Sequence, residues 1–233
     1  MNTVTDNLKT IKNEIIQIAQ QCDRDPNSIE LIAVSKTKPV ELITQAIEAG
    51  QFSFGENYVQ EGVEKIQYFK QHQPATALIW HFIGPLQSNK TKLVAENFDW
   101  MHTLDRFKIA QRLNDQRPDN MAKLNVLIQV NISQEASKSG ILPQQVEDLV
   151  EQVITLPKLN LKGLMAIPEI ENDVEKQLAV FQQMQQLLQS LQVKYPFMDQ
   201  LSMGMSGDMK AAIMAGSTMV RIGTAIFGAR QYL

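Results

Sequence analysis

The chain has 233 residues, of which 44% are hydrophobic, and its 22 basic and 25 acidic side chains give a formal net charge of −3. No charged block interrupts this balance, so a nucleic-acid partner is not expected. A single cysteine excludes an intrachain disulfide, and neither a secretory signal nor a membrane span is predicted, so we expect a cytoplasmic protein. We also expect it to be a monomer.

Strand-like and helix-like segments alternate after an amphipathic opening helix predicted at 6–22. Strands are predicted at 31–35, 52–54, 78–83, 99–103, 124–131, 161–166, 200–203 and 219–222. Helices are predicted near 40–49, 57–72, 89–97, 106–117, 143–155, 173–192 and 207–216. This alternation predicts one domain over residues 1–233, a single (β/α)8 TIM-type barrel of the α/β class with an extra N-terminal helix. A doubly wound open sheet is the alternative, because the sequence alone does not prove closure.

A lysine stands where the first predicted strand ends. Residues 31–34 are apolar, and Ser35, Lys36, Thr37 and Lys38 follow directly. The usual interpretation of such a lysine is a solvated side chain, since Lys is rarely buried without a partner. The alternative is an amine held at the mouth of a barrel, where desolvation lowers its pKa and makes it a nucleophile toward carbonyl groups.

Small and hydroxyl residues follow the last two predicted strands, where barrels commonly bind phosphate. Ser206 and Gly207 come after strand 7 at the predicted start of a helix, with Asp208 in its first turn. Gly223 and Thr224 come after strand 8. Taken singly, the first pair is typical of an N-cap and the second of a turn. Their occurrence at both expected strand ends predicts a phosphate site.

In a closed barrel strand 8 adjoins strand 1, so Lys36 is expected beside the phosphate loops. An amine in that place predicts a Schiff base with a phosphorylated aldehyde, either pyridoxal 5′-phosphate or a phosphosugar as in an aldolase. Arg221, on strand 8, favours the pyridoxal cofactor if it faces the pyridine nitrogen. The alternative role for Arg221 is an ion pair with a carboxylate such as Asp105 or Glu56.

Other polar residues have plainer interpretations. His81 and His102, on strands 3 and 4, are expected to be core or rim histidines rather than metal ligands. Lys38 and Lys138 are expected to be solvated, with a secondary phosphate contact as the alternative for Lys138.

Seven ordered motifs resemble one family along nearly the whole chain. They are AVSKTKP (33–39), FGENYVQE (54–61), WHFIGPLQSNK (80–90), SKSG (137–140), GLMAI (163–167), LSMGMSGD (201–208) and RIGTAIFGAR (221–230). This pattern is similar to that of the YggS/PROSC family of pyridoxal phosphate homeostasis proteins, which is related to the N-terminal barrel of alanine racemase.

The resemblance implies a role for each matching residue. Lys36 would carry pyridoxal 5′-phosphate as an internal aldimine, and Arg221 would face the pyridine nitrogen. Asn57 would lie beside the ring or its 3′-hydroxyl. The phosphate would be held by two pairs of residues, Ser206 with Gly207 and Gly223 with Thr224. The family implies a protein that buffers or delivers the cofactor, with transient contacts to apo-enzymes and no established reaction.

An amino-acid racemase of the alanine racemase type is the alternative function. Racemisation needs acid or base groups on both faces of the substrate Cα. Lys36 can serve one face, whereas the second base of such racemases is a tyrosine from a further domain that we do not expect here. Tyr58 is the one plausible substitute among Tyr58, Tyr68, Tyr195 and Tyr232. The sequence therefore favours a carrier.

Overall fold

Eight parallel strands form a closed barrel in the computed structural model, which describes residues 3–133, 139–169 and 171–229. The strands follow chain order around the barrel, and β1 pairs with β8 to close it through the register Ile32 to Arg221 and Ala33 to Ile222. The predicted barrel is confirmed, and the doubly wound alternative is wrong.

The strands lie close to their predicted positions. They are β1 Glu30–Val34, β2 Ser53–Glu56, β3 Ile79–Phe82, β4 Trp100–Leu104, β5 Leu124–Gln129, β6 Leu159–Met165, β7 Gln200–Ser202 and β8 Met219–Ile222. No boundary differs from its prediction by more than two residues, and one of the two-residue differences is in β6, which begins at Leu159 rather than 161. Leu159 and Asn160 pair with Leu124 and Asn125 of β5, so β6 begins two residues earlier than its predicted start. These two residues do not form a continuous apolar run, which is the pattern that predicts a buried strand.

One α-helix, α1 Val4–Gln21, precedes β1, and a helix follows every strand. The helices that follow the strands are α2 Val40–Glu48, α3 Val59–His72, α4 Thr91–Asn97, α5 Phe107–Gln116, α6 Val146–Val153, α7 Val174–Gln192, α8 Met209–Met214 and α9 Thr224–Phe227. The four-residue α9 is not predicted by the sequence analysis, because hydrophobic periodicity needs a window of about eleven residues or more to be recognised.

The extra N-terminal helix is present and packs against α2, α8 and α9. It begins earlier than predicted because Thr3 and Asp6 form a capping box: the Asp6 amide donates to Thr3 Oγ1, and the Thr3 amide donates to the Asp6 carboxylate, both at 3.1 Å. Within the described ranges, no helix is both long enough and apolar enough to span a bilayer.

Side chains that alternate along the strands divide the core into two parts. The outer part lies between strands and helices and contains most of the buried apolar residues. The apolar cluster inside the barrel is small and consists of Ile32, Leu127, Met165 and Met219, with Trp100 against it. The interior also contains the buried polar side chains of His81, His102, Ser202 and Arg221. The barrel interior is therefore markedly polar, in contrast to the layers of branched apolar residues that are common in such barrels.

Candidate functional site

The turn that carries Lys36 adjoins the loop after β8. Lys36 is half-buried and lies two residues beyond the end of β1. A Cβ atom on Gly223 would lie 3.2 Å from the carbonyl oxygen of Val34, so the backbones of the two segments meet closely at this point. The pairing of β1 with β8 thus brings the lysine and the predicted phosphate residues Gly223 and Thr224 to the same side of the barrel mouth.

Lys38 has a structural role that the sequence analysis missed. Its Nζ donates to the carbonyl oxygens of Phe227, Gly228 and Ala229, at 3.1, 2.9 and 2.8 Å. A lysine placed at the last carbonyls of a helix stabilises the negative end of the helix dipole. The prediction of a solvated Lys38 is therefore wrong, and of the two lysines in this turn Lys36 is the better candidate for covalent chemistry. Lys138 lies outside the described residues.

The loop after β7 forms a turn before its helix begins. The Met205 amide donates to Asp208 Oδ1 at 2.6 Å, and the Asp208 amide donates to the Met205 carbonyl at 3.1 Å. Ser206 and Gly207 form the exposed tip of this turn, and α8 begins at Met209 with Asp208 as its N-cap residue. The prediction that Asp208 lies in the first helical turn is wrong, because its carboxylate closes the turn instead.

Both predicted phosphate loops present exposed residues to solvent. Apart from Ser206 and Asp208, its chain neighbours, no described residue has a heavy atom within 4 Å of the position that a Cβ on Gly207 would occupy. Thr224 is exposed and begins α9, with Gly223 as the N-cap residue. The first amides of a helix have no acceptor within the helix, so they are available to an anion. The two loops thus offer backbone amides and two hydroxyl groups at neighbouring strand ends.

Arg221 is buried inside the barrel just below the mouth, with 3% of its surface exposed. Its Nη1 donates to Ser202 Oγ at 2.6 Å, and its Nη2 donates to the carbonyl oxygen of Ala166 at 3.0 Å. Burial lowers the pKa of Arg221 to about 10, and the charge of Asp208 partly offsets this. The guanidinium remains a cation at neutral pH. The carboxylates of Asp105 and Glu56, the partners considered for it in the sequence, lie instead beside Arg106 and Lys65.

Hydrogen bonds continue from Arg221 through the barrel interior. Ser202 Oγ lies 2.9 Å from His102 Nδ1, and His102 Nε2 lies 3.0 Å from His81 Nδ1. The series ends at His81 Nε2, which makes no hydrogen bond with the described residues and lies 3.5 Å, an ion-pair distance, from Oε1 of Glu30, the first residue of β1. Both histidines are fully buried, as expected for core histidines. We call these five side chains the polar chain. It joins the two ends of the barrel.

The charges fix the direction of the polar chain. Burial lowers the pKa of His102 well below its ordinary value, and the charges of His81 and Arg221 lower it further, so His102 is neutral. Burial raises the pKa of Glu30, but contacts with His81 and Ser53 outweigh this, and the net pKa is lowered. Because Ser202 accepts from a cation and Glu30 is an anion, we assign every donor in the chain to point from Arg221 toward Glu30.

Asn57 follows β2 directly and is half-buried. Its Oδ1 atom is buried and accepts no hydrogen bond from the described residues. A buried polar atom without a partner is unfavourable, and such atoms are typical of sites that complete their hydrogen bonds with a ligand. A Cβ on Gly84 would collide with the Asn57 carbonyl, so the chain after β3 packs directly against this residue.

An ion cluster lies on the other side of the Lys36 turn. Lys65 Nζ donates to Glu56 Oε1 at 2.8 Å, to Glu61 Oε1 at 2.6 Å and to the Ser35 carbonyl at 2.6 Å. Glu61 Oε1 also accepts from the Thr37 amide at 2.5 Å. We call Glu56, Glu61 and Lys65 the buried ion cluster.

Comparison with known proteins agrees with this geometry. The family described as "Alanine racemase, N-terminal domain" matches residues 7–231. Pyridoxal phosphate homeostasis proteins of Vibrio cholerae and Escherichia coli K12 are 62% and 58% identical over 232 residues, which cover all of this chain and 98% and 99% of theirs. The chain belongs to the family of the pyridoxal phosphate homeostasis proteins.

A solved structure shows the same fold in a relative with its ligand. PipY of Synechococcus elongatus PCC7942, with PLP bound, is 32% identical to this chain and superimposes with a TM-score of 0.83. The match covers 97% of this chain and all of PipY. The family resemblance inferred from the seven sequence motifs is therefore confirmed.

Besides Lys38, two residues of this family member were not identified from the sequence. Ser202 was not recognised as the contact of Arg221, because a serine at the end of a short strand has no distinguishing pattern. Lys65 was not recognised as buried. Its signal is visible in hindsight: it shares the apolar face of α3 with Ile66 and Phe69, and Glu61 lies four residues before it.

Proposed function

We propose that this protein binds pyridoxal 5′-phosphate and serves in the homeostasis of that cofactor in the cytoplasm. It would buffer the cofactor and deliver it, through transient contacts, to apo-enzymes that depend on it. One observation carries the proposal. A lysine, a buried arginine and two amide-rich loops occupy one barrel mouth, in a chain that matches pyridoxal phosphate homeostasis proteins along its full length.

The residues at the mouth fit the cofactor in their chemistry. Ser206, Gly207, Gly223 and Thr224 would bind the phosphate, since open backbone amides and hydroxyl groups at strand ends suit an anion. The buried Oδ1 of Asn57 supports a hydroxyl donor as its missing partner, and the 3′-hydroxyl of the cofactor is such a donor. The amine of Lys36 would supply the covalent attachment to the aldehyde.

Arg221 would set the electronic character of the site. When bound, the cofactor supplies an electrophilic aldehyde and a ring that withdraws electrons. A guanidinium donates a hydrogen bond but does not give up its proton, so a pyridine nitrogen facing Arg221 stays unprotonated. A neutral ring stabilises a carbanion less well than a protonated ring does. Arg221 thus favours storage of the cofactor over its use in catalysis.

The carrier interpretation also rests on the second base that racemisation needs. Among the described tyrosines, Tyr195 is buried between α7 and β7, and Tyr68 stacks on His72 along α3. Tyr58, 53% exposed at the start of α3, is the tyrosine nearest to a strand end. An exposed side chain at the start of a helix is not held in the fixed geometry that a general base needs. We therefore propose that the protein has no racemase turnover.

The experiment that tests this function has two parts. The purified protein is loaded with pyridoxal 5′-phosphate and mixed with an apo-transaminase, whose recovered activity reports transfer. The loaded protein is also incubated with L- and D-alanine in deuterated water, and exchange at Cα is followed by NMR. We expect transfer and negligible exchange, with Lys36→Ala as the control that does not attach the cofactor. Sustained Lys36-dependent exchange on the order of one per second or faster would favour a racemase.

A further inference from the structure

The backbone that carries Lys36 has an unfavourable conformation. The amide of Lys38 donates to the Ser35 carbonyl at 3.1 Å and closes a turn with Lys36 and Thr37 at its centre. Thr37 has a φ of 58°, in the left-handed region. This region is uncommon for any residue other than glycine and is particularly unfavourable for a β-branched one such as threonine. Something outside the turn must therefore hold it in place.

The buried ion cluster contacts both neighbours of Lys36. On one side, Ser35 donates its hydroxyl to Glu56 Oε1 at 2.6 Å and accepts from Lys65 through its carbonyl at 2.6 Å. On the other side, the Thr37 amide donates to Glu61 Oε1 at 2.5 Å. The three hydrogen bonds of Lys65 join these two sides through Glu56, Glu61 and Ser35. The turn is therefore held both before and after Lys36.

A general contribution to stability does not account for this cluster. Lys65 is 6% exposed and Glu56 is fully buried. Removing two charges from water offsets much of their mutual attraction, and apolar residues of similar volume often serve stability equally well. Burial also raises the pKa of Glu56, and the nearby Lys65 opposes that shift. The cluster forms directed hydrogen bonds to Ser35 and Thr37, which apolar side chains cannot form.

We propose that Glu56, Glu61 and Lys65 are positioning residues that hold the Lys36 turn in the conformation needed for covalent attachment of the aldehyde cofactor. The inference rests on the proposed function and deepens it, because it names residues outside the mouth on which the attachment depends. Glu61 acts on the strained residue directly. Lys65 and Glu56 fix the position of Glu61 and of Ser35.

Glycine at position 37 provides a test specific to this mechanism. Glu61→Ala removes the acceptor of the Thr37 amide, and Glu61 is exposed enough, at 27% of its side chain, for the variant to fold. We expect cofactor attachment to Lys36 to weaken about tenfold, as for the loss of one hydrogen bond to a charged group. Thr37→Gly makes a left-handed φ favourable without the help of Glu61. The double variant Glu61→Ala/Thr37→Gly should therefore attach the cofactor with an affinity within about threefold of the wild-type affinity.

The measurement is a titration with pyridoxal 5′-phosphate, followed by the visible absorbance of the attached cofactor and by borohydride trapping with peptide mapping. Glu64→Ala, on the exposed face of the same helix, is the matched control and should behave as the wild type. Glu61→Gln, which keeps an acceptor oxygen, should retain most of the attachment. Urea unfolding of each variant shows whether a loss of attachment merely follows a loss of stability.

The outcomes separate this inference from the proposed function. If the wild type does not attach the cofactor, the proposed function fails and the positioning role fails with it. If the wild type attaches it but Glu61→Ala attaches it equally well, only the positioning role is refuted. A loss in Glu61→Ala that Thr37→Gly does not recover would also refute it, since the damage would then not arise from the turn.

Discussion

Acid should destabilise this protein through His102, and the size of the effect can be worked out. The pKa of His102 lies well below 6.5 in the folded protein because the ring is fully buried beside His81 and Arg221. In the unfolded chain the same ring takes up a proton near pH 6.5. Because the unfolded state binds more protons below that pH, the free energy of unfolding falls as the pH falls. Between pH 7.5 and 5.5 the contribution of this one ring is about 1.4 kcal/mol.

Urea unfolding at the two pH values measures this contribution when wild type is compared with His102→Gln. Glutamine has a donor and an acceptor for the polar chain but does not titrate. Between pH 7.5 and 5.5 the free energy of unfolding of the variant should therefore fall by about 1.4 kcal/mol less than that of the wild type. His72→Gln, at an exposed position near the end of α3, is the control and should keep the wild-type difference. Equal pH dependence in wild type and His102→Gln would show that His102 is not held neutral, and the direction assigned to the polar chain would be refuted with it.

Three further predictions concern the mouth of the barrel. Borohydride treatment of the loaded protein should fix the cofactor on the peptide that contains Lys36, and mass mapping to any other lysine would refute the assignment. Ser206→Ala and Thr224→Ala should each weaken cofactor retention by about 1 to 3 kcal/mol, as for a lost hydrogen bond to a charged group, measured by equilibrium dialysis. Equal retention of pyridoxal without its phosphate would show that these loops do not bind the phosphate. Gly84→Ala should destabilise the fold by about 2 kcal/mol in urea unfolding, because its Cβ would collide with the Asn57 carbonyl; a stability equal to wild type would contradict that contact.

The barrel was predictable from the sequence because its signals are local. Each buried strand is a short apolar run, and each long helix has a stripe of apolar residues, so the alternation is visible without knowledge of contacts. The position of Lys36 after β1 and of Gly223 after β8 follows from that alternation. The motifs then identified the family.

What the sequence did not predict depends on contacts between distant parts of the chain. The polar chain joins Arg221 to Glu30 across β8, β7, β4, β3 and β1, and no spacing in the sequence indicates it. Lys38 appears solvated until α9 is known to end beside it. The turn at Asp208 was missed because an aspartate before a helix suits both a cap and a first-turn position.

The polar chain also means that the two ends of this barrel cannot be altered independently. In a barrel filled with apolar layers, the bottom mainly provides stability and the top can be redesigned freely. Here the orientation of each hydroxyl and imidazole depends on the next one, and the series ends on the charge of Glu30. If that carboxylate were neutralised, no charge at the Glu30 end would favour one direction of the donors. His81 and His102 could then also take the opposite tautomers, with each hydrogen bond reversed. A substitution at the closed end of the barrel would thereby change the direction in which Ser202, the hydroxyl that accepts from Arg221, donates its own proton, with no change in any residue of the mouth.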